Sequence, residues 1–405
     1  MPPRRAGDVL EIFVLALGAG PALARDPERA LAGASERARE PGPGRGEAAG
    51  VAPAPEVAQV LATFRSARVL APLPRKGGED GARWQRIIRL HERTLAVLEG
   101  RAGEREAPSG RELRELGRDL FDALFPGDVR RLYDTARALG AGRPLNLVFT
   151  SMLDWVADKP WELAFDPSRR EFLATSSVNF VRNAFTAVPA DVPARGRGRL
   201  RVLVAVAQPQ GALPLSGKVE TADLRKAFAD LVKKGRAQVE VLAPATAGRL
   251  QRRLAAGGVD VLHFVGHGAF DEQEREGSLL LEDERGRPTS LGTDALRQLV
   301  CGRGLRLAFL NACETGRGGR VEWNRGVAPA LVAAGLPAVV ANQYPVEDEA
   351  ATAFARELYA QLAAGSTLGD AAREARVAVA RDRGTASLGW AVPVVFARDP
   401  REPLR

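Results

Sequence analysis

The apolar residues of this chain change their period about halfway along it. From Leu200 onward, short unbroken apolar runs alternate with segments whose apolar positions recur about every 3.6 residues. The runs Leu200–Ala207, Gln238–Leu242, Asp260–Val265, Arg306–Leu310, Ala338–Tyr344 and Trp390–Phe396 predict strands, and Ser278–Glu282 a small hairpin strand. Lys218–Lys233, Ala247–Ala256, Thr293–Val300, Val327–Ala334 (closed by Gly335), Asp348–Ala364 and Leu368–Ala380 predict helices. An unbroken apolar run suits a strand buried on both faces, and strands separated by helices imply βαβ units with right-handed crossovers. The expectation is an α/β fold: a three-layer sandwich around a mostly parallel sheet.

The first half is patterned differently. Residues 1–34 read as one or two short helices, and 35–56 as a Pro/Gly/Ala/Glu-rich linker. Helical spacing runs from Pro55 to Leu98 and includes Trp84–Leu98, with His91 inside it. After a polar break at 101–110, Leu113–Leu139 is again helical, Leu145–Thr150 is a strand, Pro160-Trp-Glu-Leu a helical turn, and 189–199 a Pro/Arg/Gly joint. These breaks suggest an N-terminal helix and linker (1–56), a helical accessory region (57–108), a supporting subdomain (109–199) and a main domain (200–399).

Arg4 and Arg5 precede the apolar stretch Val9–Leu23, in which Ala22-Leu23-Ala24 imitates a secretory cleavage site. Asp8 and Glu11 put charge at and inside that stretch, so it reads as an amphipathic helix. Nothing else approaches the roughly 18 uninterrupted apolar residues of a membrane span, and none is expected.

Composition narrows the chemistry. The chain has 405 residues and only two cysteines, Cys301 and Cys313, which is no disulfide framework and fits a reducing, cytoplasmic compartment. No Cys-x-x-Cys, no phosphate-binding Gly-x-x-x-x-Gly-Lys loop and no Gly-x-Ser-x-Gly elbow occurs, so neither metal nor cofactor is expected, nor a serine nucleophile. The net charge of +8 would suit a nucleic acid. Its arginines are scattered among Ala and Gly with no nucleic-acid-binding motif, so direct binding is not expected.

Two of the apolar runs end in reactive residues: Val261-Leu-His-Phe-Val-Gly-His267-Gly and Leu307-Ala-Phe-Leu-Asn-Ala-Cys313-Glu-Thr-Gly. Residues that follow parallel strands collect at the carboxyl edge of the sheet, where open α/β sheets bind ligands. A thiolate is the nucleophilic form of cysteine, and an imidazole can take its proton and later hand one to a leaving amine. Neighbouring strands would bring the two residues to about 4.8 Å backbone spacing. Glycines beside His267 leave room for a substrate backbone, and the Gly268 and Cys313 amides could form an oxyanion hole. Taken singly, His267 could be a turn residue and Cys313 a small buried hydrophobe. Their equivalent positions after two strands favour the pair. His263, inside its run, reads as a core residue, Cys301 as structural, and His91 receives no role. The glycines of Thr315–Glu322 suggest a substrate loop. Cys313 follows His267 by 46 residues, against roughly 50 in caspase-type peptidases.

His263-Phe-Val-Gly-His-Gly, Leu310-Asn-Ala-Cys-Glu-Thr-Gly, Gly335-Leu-Pro-Ala-Val-Val-Ala-Asn-Gln-Tyr-Pro-Val and Leu368-Gly-Asp-Ala-Ala-Arg-Glu-Ala-Arg together resemble the CHAT domain, a bacterial branch of the caspase–separase superfamily of cysteine peptidases. Pro160–Leu163 and the segment Pro209–Glu220 are similar to it as well. The resemblance spans roughly 110–398 and leaves out 1–90, where many relatives carry tetratricopeptide repeats and this chain does not. It implies a caspase-like sandwich and a thiol protease, a hydrolase in which His267 is the general base, Cys313 the nucleophile and Gly268 part of the oxyanion hole. It also implies a protein substrate, an activating sensor or partner protein, and a setting in bacterial defence or programmed cell death. Separase-like members place a pocket aspartate in the loop after the strand that follows the cysteine strand. Here that loop is Gln343–Asp348, so Asp348 is the candidate, and a basic residue before the cleaved bond would follow. Asp348 suits equally an N-cap of the helix Glu349–Ala364. Glu314 is a second candidate substrate-binding acid.

The rival reading is a non-catalytic protein-interaction module on a peptidase fold. The intact His267, Gly268 and Cys313 weigh against it. A nucleic-acid binder is the third reading, and salt-sensitive affinity would be its mark.

Overall fold

The computed structural model describes residues 8–17, 57–73, 78–98, 101–212 (without 141, 187 and 191–197), 226, 228–271, 276–314, 323–344 and 348–404 (without 386). The first half comprises β1 (Val9–Leu17), the hairpin β2 (Val57–Phe64) and β3 (Ala67–Pro72), and the helices α1 (Gly78–Leu98), α2 (Gly110–Leu124) and α3 (Asp128–Leu139). Next come β4 (Leu145–Ser151), a short helix α4 (Asp154–Ala157), a 3-10 turn at Trp161–Leu163, the small pair β5 (Phe165–Asp166) and β6 (Glu171–Phe172), and β7 (Val178–Asn183). The second half runs β8 (Leu200–Val206), β9 (Ala237–Leu242), α5 (Ala247–Ala255), β10 (Val261–Asp271), β11 (Glu276–Glu282), β12 (Pro288–Gly292) and α6 (Thr293–Val300). It ends with β13 (Leu307–Glu314), α7 (Trp323–Ala333), β14 (Ala338–Asn342), α8 (Asp348–Ala364), α9 (Leu368–Arg383) and β15 (Pro393–Ala397).

Among the described residues thirteen strands form one sheet. Parallel strands β9, β8, β10, β13 and β14 make up most of the second half, with the antiparallel β11 and β12 added beside the far end of β10. Parallel β1, β4 and β7 make up the first, edged by the antiparallel hairpin β2–β3. β15 joins them, antiparallel to β14 and parallel to β7. One apolar core runs through the first half and under β8, β10 and β13, where Phe354, Leu358 and Tyr359 of α8 cover it. A second core, built from α5, α6 and α7, covers the opposite face of the second half. This is the mostly parallel three-layer sandwich that the alternating pattern implied. No helix among the described residues is long and apolar enough to cross a membrane.

Three expectations are corrected. Residues 9–17 are a strand between β2 and β4, not a helix. Leu10, Ile12 and Val14 face one core while Leu15 packs with Leu61 on the other side. Val9 and Phe13 put apolar side chains on its half-buried face too, so the run lacks a clean alternation, and a short apolar run cannot be told from a helix by its period. Glu11 sits in that strand because its carboxylate accepts a hydrogen bond from Thr63 Oγ1 at 2.8 Å. Residues 57–72 are a hairpin turned at Arg65, which takes a left-handed φ of 54°, and in the expected accessory region the helical segments among the described residues are α1 and a 3-10 turn at Glu104–Glu106. The helix expected over 113–139 is broken into α2 and α3 at Pro126-Gly127, where proline has no N–H to donate and Gly127 has a φ of 53°.

Candidate active site

β10 and β13 are adjacent and parallel, and their register pairs His267 with Cys313 and Gly268 with Glu314. Both strands run past the ends read from the sequence, so both residues lie inside strands and not in the loops beyond them. The extension has a local cause. β10 pairs with β8 only as far as Val265, and from His267 to Asp271 its partner on that side is the antiparallel β11. The strand changes partner at Gly266, where the Ala207 amide still donates to the Val265 carbonyl at 2.9 Å. A Cβ at Gly266 would lie 2.5 Å from the Phe264 ring and 3.2 Å from the Ala207 carbonyl oxygen, so glycine is required by close approach. His267 therefore stands where the sheet forks, at the carboxyl end of the parallel strands, and is 1% exposed. Gly268 lies between Leu279 of β11 and Glu314 of β13.

The neighbouring strand reaches the same level. β13 and β14 pair from Leu307↔Ala338 to Leu310↔Ala341, and their ladder is continued by a side-chain bond from Asn342 Nδ2 to Asn311 Oδ1 at 2.7 Å. Gln343 and Tyr344 follow β14 directly, at the same carboxyl edge of the sheet as Cys313. Asp348 is the first residue of α8, one position inside the expected cap. Glu314 closes β13. The expected substrate loop, Thr315–Glu322, lies outside the described residues.

His263 is a core residue. It is 0% exposed, stacks on Phe309 at 4.6 Å, and shares a 2.7 Å hydrogen bond between its Nδ1 and the Tyr359 hydroxyl. Full burial pushes its pKa down to about 3, so it is neutral and takes no part as a base near neutral pH. Cys301 ends α6 with its sulfur 3.9 Å from the Leu331 carbonyl, in keeping with a structural role. Among the described residues no group of three His, Cys, Asp or Glu could hold a metal.

Reasoning from sequence missed the network that holds the loop after β14. Gln343 Nε2 donates to Glu162 at 3.2 Å and to the Ala391 carbonyl at 2.9 Å, while Arg182 donates to Gln343 Oε1 at 3.1 Å. Glu162 and Arg182 form a buried two-bond ion pair across β7 and the 3-10 turn. The Tyr344 hydroxyl lies 2.8 Å from Nε2 of His91, on α1. The available signal was His91 itself, a polar residue that follows Trp84, Ile87 and Leu90 on the buried stripe of the helix.

Among solved structures the chain is similar to the Arg-specific cysteine proteinase gingipain R (TM-score 0.45, 12% identity, 72% of this chain and 71% of that one). A second is the complex of Porphyromonas gingivalis RgpB pro- and mature domains (TM-score 0.43, 11% identity, 72% of each chain). A third is separase from the Saccharomyces cerevisiae separase–securin complex (TM-score 0.43, 11% identity), where the match covers 97% of this chain but 30% of that one. No curated protein matches the chain. The family model for the CHAT domain matches residues 114–399, most of its length, and the chain belongs to the CHAT domain family.

Proposed function

We propose that the chain is a caspase-like cysteine endopeptidase that cuts one or a few protein partners. Cys313 attacks the scissile carbonyl carbon, and its proton passes to His267. The tetrahedral oxyanion rests on the Gly268 and Cys313 amides. His267 then protonates the leaving amine, and water hydrolyses the thioester. Asp348 and Glu314 supply negative charge for a basic residue before the cleaved bond. A sensor or partner protein triggers the reaction, in a bacterial defence or cell-death setting. The observation that carries this reading is the register: within a CHAT domain, His267 and Cys313 are opposed on adjacent parallel strands at their carboxyl end.

The test needs no known substrate. The rate at which iodoacetamide alkylates Cys313 is followed against pH in the wild type and in His267→Ala, with alkylation located by peptide mass. An imidazole partner should pull the thiol's midpoint below the ~8.5 of an ordinary cysteine, and His267→Ala should return it there. Coincident profiles would sink the dyad and favour the non-catalytic interaction module.

A further inference from the structure

The structure assigns His91 a part in this site: we propose that it is a positioning residue for a substrate-binding edge at Gln343–Tyr344, directly after β14. The proposal rests on the peptidase reading for what the edge binds, but not for the contact itself.

α1 precedes the part of the chain matched by the family model, which begins at residue 114. It nevertheless delivers a side chain to the candidate site. Trp84, Ile87, His91 and Thr94 follow one another at spacings of three and four residues and are all buried, so they form one face of the helix. Trp84 packs edge-on against Trp155 at 5.1 Å and Trp161 at 6.4 Å. Arg86 makes two bonds of 2.8 Å to Asp119. Arg93 binds Glu112 at 2.7 Å. These contacts dock the helix on α2 and on the 3-10 turn that carries Glu162.

His91 goes further, to Tyr344. A leucine at that position would have served docking alone. Imidazole and phenol instead give a 2.8 Å bond with a set direction, between side chains that are 4% and 6% exposed. Such a bond specifies an orientation, because a buried polar group without its partner is costly. The residue it fixes lies just after β14, the strand next to the one that carries Cys313, at the same edge of the sheet. On its other side the same loop is held by Gln343 through Glu162 and Arg182. The edge opposite His267 is thus set by two side-chain contacts from the first half of the chain, one of them from outside the family match.

The experiment uses the full chain with His91→Phe, His91→Gln, Tyr344→Phe and the double variant His91→Phe/Tyr344→Phe. Phenylalanine keeps the ring and removes the bond, while glutamine can place an amide nitrogen where Nε2 was. Hydrogen exchange at the Gln343 and Tyr344 amides is expected to be about tenfold faster in each single Phe variant, faster by the same factor and no more in the double, and restored in His91→Gln. The amides of β4 serve as an internal reference and should not change. With fluorogenic peptides carrying arginine before the cleaved bond, the same Phe variants should raise KM about tenfold and move kcat less than threefold.

Unchanged exchange in both single Phe variants would overturn the proposal. So would faster exchange spread equally over β4, which would mean a general loss of stability. If His91→Phe does not fold, Tyr344→Phe removes the bond from the other side. If exchange responds as expected but Cys313 fails the alkylation test, the contact stands and the peptidase reading falls.

Discussion

Replacing Glu162 should be among the most damaging single changes in the first half. The Glu162 side chain is 0% exposed and that of Arg182 7%. Nε of Arg182 donates to the carboxylate at 3.0 Å, and one Nη makes the second bond. Glu162→Ala removes both bonds and the Gln343 contact. It also removes the anion that faces Arg376, a fully buried guanidinium whose pKa burial already pushes down to about 10. Arg376 keeps its bonds to the Phe180 and Pro393 carbonyls, and Arg182 keeps the Ala157 and Lys159 carbonyls, but neither set includes a charge.

Breaking a buried ion pair from one side costs about 3–5 kcal/mol, and two stranded guanidiniums place this variant at about 5. Glu162→Gln keeps the shape and one acceptor and should lose about 2–3 kcal/mol. The double replacement Glu162→Met/Arg182→Met removes charge from both sides and should be less destabilised than Glu162→Ala, because filling such a site with apolar groups is often near neutral. Urea midpoints of the variants, compared at a shared m value, give the differences. A Glu162→Ala loss below about 1 kcal/mol, or a double variant as unstable as the sum of its singles, would refute the reasoning.

Three further outcomes follow from single residues. His263 has a folded pKa of about 3, below its unfolded value near 6.5, so the unfolded chain binds the extra proton and stability falls as pH drops from about 6.5 towards 3. At pH 5 the loss is about 2 kcal/mol, and His263→Leu should flatten the slope by one proton; equal slopes would show that the buried imidazole is not neutral. Gly117→Ala would put a Cβ 2.4 Å from the Leu163 carbonyl oxygen and 2.7 Å from Cβ of Phe165, so α2 must lift away, at a loss of about 1–3 kcal/mol in urea; a neutral result would refute the contact. Gly266→Ala should lose about as much, roughly 1–3 kcal/mol, and should also slow Cys313 alkylation, because His267 is the next residue; full stability with full reactivity would refute a close-packed fork.

What the sequence made legible follows from how each element is buried. β8, β10, β13 and β14 are sandwiched between two layers and read as apolar runs, and His263 was separable from His267 because it falls inside one such run. The extension of β10 through Gly268 to Asp271 was not legible, because it depends on pairing with β11 and not on apolar residues. β1 is buried on one face and half-buried on the other, and as one short run with no neighbouring runs to identify it, it reads as a helix. The contacts of Glu162, Arg182 and His91 join residues far apart in sequence, and a single chain gives no sign of which partner a polar residue in a buried stripe will find.

The two parts of the candidate site are held by different kinds of interaction. His267 and Cys313 are opposed by a backbone ladder, and a slip of one residue would move every side chain of the strand to the wrong face, so that register is strongly specified. The facing loop at Gln343-Tyr344 extends past its strand, and side chains from the first half of the chain hold it. A few side-chain hydrogen bonds can be exchanged at a free energy of about 1–3 kcal/mol each, whereas a buried ladder cannot be shifted without unfolding the strand. Displacing α1 would therefore loosen Gln343-Tyr344 and leave the His267–Cys313 ladder in place. The reactivity of Cys313 towards a small alkylating agent should therefore be the same in His91→Phe as in the wild type, and a changed rate would refute this division.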